Sequence, residues 1–272
     1  MFKKIGSSPL TMLGIFLVGM LLIMALFAPI IAPQDPLEIN ISQKLLSPSV
    51  DHWFGTDEVG RDIFSRIVYG SRISLKIGVL VVLIAFPVGT VLGAIAGFVG
   101  GIVDQIIMRT TDIFISFPGI ILAMSIAAAL GPSIENVLLA LAITWWPWYT
   151  RIVRSSVLQI KNAEFVESAR AVGIHPVKIL FKEVLPNAIA PASIQASLDL
   201  GFVILSAAGL SFIGLGAQPP SPEWGAMLAS SREVLRDAWW AATFPGLAIL
   251  WTVLGFNLLG DGLRDILDPK NR

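Results

Sequence analysis

The chain has 272 residues, of which 55% are hydrophobic and only 14% charged, and its mean hydropathy is +0.77. That is more apolar than a soluble domain tolerates, so the sequence describes an integral membrane protein. Nineteen basic residues balance nineteen acidic ones, which gives nucleic acid or an acidic partner nothing to bind by net charge; only charge placement informs. The absence of cysteine excludes disulfides, thiolate nucleophiles and cysteine-ligated metal centres.

A helix needs about 20 apolar residues to cross the hydrocarbon. In chain order, runs free of Asp, Glu, Lys and Arg fall at 11–31, 77–103, 113–134, 136–150 and 238–260, and a further run at 188–213 is broken only by Asp199. These predict an all-α polytopic protein with six transmembrane helices. The first run follows Lys3 and Lys4 but is longer than a signal-peptide core, so it reads as an uncleaved span. The fourth is short and ends in Trp145-Trp146-Pro147-Trp148-Tyr149, an interfacial cluster. With both termini inside, cytoplasmic segments hold 12 of the 19 Lys and Arg residues, the asymmetry expected of that orientation. His52 and His175 then lie on opposite sides of the membrane, which argues against a histidine metal site.

Gly89, Gly93 and Gly97 recur every four residues in the second span. This spacing lets two backbones approach closely; a pore-lining hinge is the alternative. Between the first two spans, His52, Asp57, Glu58 and Asp62 cluster in a segment containing "FGTD" and "GRD". A metal site is one reading; tight turns whose carboxylates cap helices are the other, and the one preferred. Residues 218–225 (QPPSPEWG) form a stiff turn before a short helix, either a gate element or a simple loop. Asp199, the one carboxyl group inside the bilayer, must face protein or water. It serves either as a hydrogen-bonded structural group or as a contact for a cationic or amine-bearing substrate on the pathway.

Between the fourth and fifth spans lies a charged stretch, 164–187, EFVESARAVGIHPVKILFKEVLPN. Its pattern predicts two short amphipathic helices. Phe165, Ala169 and Val172 form the oily face of the first, opposite Glu164, Glu167, Ser168 and Arg170. Val177, Leu180, Phe181 and Val184 form that of the second, beside Lys178 and Lys182. Gly173 supplies the left-handed stop between them, Pro176 suits the first turn of the second, and Leu185-Pro186 ends it.

The spacing Glu167-Ser168-Ala169, three residues, Gly173, nine residues, then Glu183-Val184-Leu185-Pro186 resembles the "EAA" loop of ABC-importer membrane subunits, with Ser168 for the middle Ala and Glu183 for Ile. Residues 52–75, 210–228 and 244–269 are similar to the C-type permease of the dipeptide, oligopeptide and nickel importers. The resemblance implies a type I importer permease, a five-helix core plus an N-terminal helix. It divides the chain into an N-terminal helix with an extracytoplasmic segment (1–72) and a transmembrane domain (73–272) with a cytoplasmic coupling loop (151–187). It further implies coupling through Glu164, Glu167, Ser168, Ala169, Arg170, Gly173, Lys178, Lys182, Leu185 and Pro186 to two separate ATP-binding subunits. The other implied partners are a second, homologous permease in a heterodimer, an extracytoplasmic substrate-binding protein, and lipid, in the inner membrane of a prokaryote. The implied cargo is a di- or oligopeptide, with nickel, glutathione or another small solute as the alternative. No lysine is followed by Ser or Thr, so the chain has no Walker A phosphate loop; ATP and Mg are expected on the partners, and the chain is expected to be no enzyme and to need no cofactor of its own. The rival readings are an ion-coupled secondary transporter using Asp199 and a non-conducting scaffold.

Overall fold

The structure, a computed structural model, describes residues 9–267, and among them there is helix but no strand. Lys3, Lys4, Lys270 and Arg272, which contribute to the charge asymmetry, lie outside the described residues. Helix α1 (Pro9–Leu26) and the short α2 (Ala28–Ile31) are followed by α3 (Ile63–Val99), α4 (Gly101–Ser116), α5 (Gly119–Leu130) and α6 (Ile134–Ile160). Then come α7 (Glu164–Ala171), α8 (Pro176–Ile179), a π turn (Leu180–Val184), α9 (Leu185–Ala188), α10 (Ala190–Phe212), α11 (Trp224–Ser230) and α12 (Trp240–Leu267).

Four helices, α1, α3, α10 and α12, are each long and apolar enough to cross a membrane. The expected third span is not one straight helix. It is split into α4 and α5, which meet at 87°, because Pro118 holds Phe117 in the extended region (ψ 142°) and so ends α4. The fourth span is longer than its apolar run: α6 has 27 residues, about 40 Å of helix, and carries Arg151 and Arg154 in its second half. The second also starts earlier than its apolar run, at Ile63, because Asp62 caps it there with a carboxylate oxygen 2.8 Å from the Ser65 N–H.

The glycine stripe packs helices; it is not a hinge. A Cβ placed on Gly89 would collide with the Trp146 carbonyl, one on Gly93 with the Thr150 carbonyl, and one on Gly97 would lie 3.0 Å from the Arg154 carbonyl. Since contacts advance together along both helices, α3 and α6 run in the same direction. Similarly, Gly14 meets Leu258, Gly262 meets Thr11, Gly201 meets Val253 and Gly260 meets Leu198, so α12 runs antiparallel to both α1 and α10. The start of α1, the ends of α3, α6 and α12, and the start of α10 therefore share one end of the bundle with the 164–187 segment.

At the other end, residues 32–62 fold into a cap. The His52 imidazole lies 3.0 Å from the second Asp62 oxygen, and Asp57 accepts from Val59, Arg61 and the Arg61 guanidinium, so these carboxylates serve turns and a helix cap. Buried Arg66 donates to the carbonyls of Pro36, Pro220 and Ser221 at 2.9, 3.3 and 3.2 Å, tying the cap to the loop before α11. Glu223 caps α11, accepting from the Ala226 N–H at 2.9 Å. Burial pushes its carboxyl group up from the ordinary 4.5, against hydrogen bonds from Gly225, Ala226 and the Ser211 hydroxyl.

Two outcomes test this packing. Gly93→Leu forces a side chain into the α6 backbone and should lower the detergent-solubilised thermal stability by about 1–3 kcal/mol or more. Gly19→Ala, with nothing within 4 Å, should leave it unchanged or higher; equal losses would contradict the seam. For Glu223 the folded chain holds the proton more tightly than the unfolded one. Its contribution is therefore complete below about 4.5 and is lost as pH rises through the elevated folded value. Thermal melts across that window should flatten in Glu223→Gln, and an unchanged slope would contradict the assignment.

Candidate functional site

The 164–187 segment is built on the end of α3 and α6. Glu164 and Glu167 lie in the first turn of α7 and Arg170 in its last, the arrangement that complements a helix dipole. Gly173 has φ +83°; its N–H donates to the Arg170 carbonyl at 3.0 Å, and the Ile174 N–H donates to the Ala169 carbonyl at 3.1 Å. Those two bonds close a Schellman motif, whose left-handed residue costs a non-glycine side chain about 1–2 kcal/mol. The His175 ring then accepts from the Val177 N–H at 3.4 Å, and Pro176 starts α8.

The expected stop at Leu185-Pro186 does not occur. Instead, the helix widens into the π turn, in which the Leu185 N–H reaches the Leu180 carbonyl, and continues through α9 into α10. Pro186 has no N–H to give the Lys182 carbonyl, and the shifted register absorbs that gap without ending the helix. The Asn187 side chain satisfies the Glu183 carbonyl at 2.6 Å. The second element is thus joined mechanically to the membrane helix that follows it.

The oily faces also differ from the expected ones. The buried stripe is Val166 and Ala169 on α7 with Ile179, Leu180 and Val184, packed against Ala94 of α3 and Val153 and Val157 of α6. Phe165, Val172, Val177 and Phe181 point away from the bundle, Val172 being 82% exposed. Two apolar faces are present, and a single helical wheel that merges neighbouring positions blurs them into one. Around the exposed apolar residues stand Glu164, Glu167, Ser168, Lys178, Lys182 and Pro186, also exposed, while Leu185 is half-buried. Arg170 turns back: it donates to the Lys161 carbonyl at 3.3 Å and lies 5.7 Å from the Phe98 ring centre. Together these residues form an apolar knob ringed by charge, on a base fixed to two membrane helices.

Several fixing contacts escaped the sequence reading. Arg154 makes a bidentate pair with Asp104 at 2.5 and 2.7 Å, Arg151 meets Asp112 at 2.6 Å, and the Lys161 ammonium donates to the Gly97 carbonyl at 3.0 Å. The three-residue spacing of the two arginines on one face of α6 is a signal that they meet the same neighbouring helix, here α4, but partners about 40–50 residues away leave no local trace. Asp199 lies far from this site, buried between α10 and α6. Gln195 donates to it at 2.9 Å, and its neighbours from α6 are Trp145 and Tyr149, the Tyr149 hydroxyl forming no well-aligned hydrogen bond.

A membrane bundle that carries a charge-ringed knob on one end has the arrangement expected of the permease type of an ATP-driven importer. Residues 89–272 match the family described as "Binding-protein-dependent transport system inner membrane component", and residues 1–48 match the N-terminal transmembrane domain of oligopeptide transport permease C. The chain belongs to this family of importer permease subunits. It is 48% identical to the dipeptide transport system permease protein DppC of Alkalihalophilus pseudofirmus, over 99% of this chain and 88% of that one. Identity to the probable D,D-dipeptide transport system permease protein DdpC of Escherichia coli is 49%, over 97% and 89%. To the glutathione transport system permease protein GsiD of Pectobacterium atrosepticum it is 46%, over 94% and 85%. An inward-facing structure of the MetNI methionine ABC transporter shares the fold, with a TM-score of 0.63 at 19% identity over 76% of this chain and 98% of that one.

Gly173→Ala should retain membrane insertion and reduce ATP-dependent uptake in part, since a Cβ there meets open space and only the backbone is strained. Gly173→Pro, which also removes the N–H bonded to Arg170, should insert but reduce uptake to background. Uptake assays in membrane vesicles check both, and wild-type rates in Gly173→Pro would contradict the role of this turn.

Proposed function

We propose that this chain forms half of the translocation pathway of an ATP-driven importer for di- and oligopeptides, with the 164–187 knob as its coupling element. The single observation that carries the coupling role is the unpartnered apolar set Phe165, Val172, Val177 and Phe181 inside a ring of charges. A compact apolar centre with a polar rim is how a specific protein contact is built. The partners that fit it are two ATP-binding subunits that carry ATP and Mg, so hydrolysis resides on them and this chain is not itself an enzyme. Because the inner stripe of the knob is packed against α3 and α6, and its second helix continues into α10, closure of the ATP-binding subunits becomes tilting within the membrane.

The knob end then faces the cytoplasm, with both termini, and the 32–62 cap faces outward toward a substrate-binding protein, in the inner membrane of a prokaryote. A homologous second permease completes the pathway as a heterodimer. The division at residue 72 is one of function: α3 runs unbroken from Ile63 to Val99. Relatives named for dipeptides and for glutathione, itself a tripeptide, support a short peptide as cargo. Asp199 acts as a buried structural group at the α10–α6 contact, held by Gln195 of its own helix and facing Tyr149, rather than as a contact for cargo.

The chain lacks cysteine, so single-cysteine probes are clean. Val172→Cys and Val177→Cys, treated with a short bifunctional reagent in the intact assembly, should cross-link to an ATP-binding subunit, with yield that changes on adding nucleotide. Capture of lipid alone would sink the coupling role. Asp199→Asn should keep uptake and cargo preference, whereas Asp199→Leu should lower thermal stability; altered cargo preference in Asp199→Asn would place this group on the pathway instead.

A further inference from the structure

A cleft of about 460 Å³ opens between α1 and α12 below the 32–62 cap. Met20 and Met24 of α1 form one wall, Leu247, Ala248 and Trp251 of α12 the other, and Phe54 of the cap helps to roof it. No lining residue carries a charge or a hydroxyl group. The one polar lining atom of Trp251, its ring N–H, is already donated to the Leu17 carbonyl at 3.1 Å. An apolar cavity of this kind does not hold water.

Two observations fix its depth and its occupant. Above it the Phe54 and Phe244 rings stack at 4.0 Å, Trp239 lies beside Phe244 and Trp53 against Phe64, and both indoles are more than half exposed. Aromatic rings of this sort sit at the membrane–water interface, which puts the cleft just inside the hydrocarbon. Of its lining residues, Ile23 and Leu247 are 55% and 50% exposed, so it faces the bilayer. A wall without charge or hydroxyl offers no polar handle to a partner's side chain or to a peptide backbone. A single hydrocarbon chain does fit, and two flexible methionines adapt the wall to it.

We propose that this cleft is a lipid site that holds one acyl chain of a bilayer phospholipid and thereby fastens α1 to α12. Assignment to the outer leaflet rests on the orientation proposed above; the site itself does not. The test uses the complete importer in nanodiscs containing phosphatidylethanolamine with a diazirine in its acyl chain, followed by irradiation and peptide mapping. Labelling of 20–24 and 244–251 should exceed, several-fold, that of the open α3 face at Val79 and Leu83, which are 48% and 63% exposed. Ala248→Phe, which fills the cleft, should abolish the excess while leaving the α3 signal intact. Equal labelling of the two regions in the wild-type complex, an excess that survives Ala248→Phe, or cross-linking of the cleft to the second permease or to peptide cargo would each overturn the proposal. The wild-type ratio decides alone should Ala248→Phe fail to insert.

Discussion

The seam at which the α3 and α6 backbones touch governs the rest of the structure. Hydrophobic burial gives little reason for two helices to associate inside a bilayer, where lipid is as apolar as a side chain, so close packing has to supply the attraction. Gly89, Gly93 and Gly97 permit it by presenting no Cβ to the carbonyls of Trp146, Thr150 and Arg154. The same register brings Lys161 to the Gly97 carbonyl, and Arg154 reaches Asp104 just beyond the end of α3. Thus the close approach within the membrane and the ion pairs at its edge belong to one continuous contact.

That contact makes a platform, and the platform explains the knob. A short amphipathic helix such as α7 is marginal by itself, because helices below about 12–15 residues are unstable in water. Val166 and Ala169 bury against Val153 and Val157, while Ile179, Leu180 and Val184 extend the same cluster. The knob thereby takes its rigidity from membrane helices, and force applied to its exposed face has few soft joints in which to dissipate. The π turn does not interrupt this path, since the chain leaves it still helical.

Most of this was legible in the sequence, and the parts that were not have a common cause. Gly173 announced its positive φ and the 164–187 spacing announced the family, since both are local signals. The positions of the spanning helices α1, α3, α10 and α12 followed from hydropathy, a property of consecutive residues. What local reading missed were features decided by a neighbour: which of Phe165 and Val166 turns inward, how far α6 continues past its apolar run, and that Pro186 would be absorbed. The break between α4 and α5 was a different oversight. Its cause, Pro118 restricting Phe117, is local, but an uninterrupted hydropathic run masks a proline because apolarity says nothing about direction.

The two ends of the molecule illustrate how one bundle meets opposite demands. At the knob end, charges pair between helices, and the apolar residues left outside lie in a small ring of polar ones. At the cap end, Arg66 spends its guanidinium on backbone carbonyls of Pro36, Pro220 and Ser221, and indole N–H groups do the same work: Trp224 donates to the Ile67 carbonyl at 3.1 Å and Trp240 to that of Thr56 at 3.2 Å. Carbonyl acceptors are fixed by the fold and do not titrate, so these ties, all but the one to Pro36 joining segments more than 150 residues apart, do not depend on the protonation of their acceptors. In the orientation proposed above the cap faces outward, where such ties serve it well, whereas the proposed coupling face would gain from charges that water can screen.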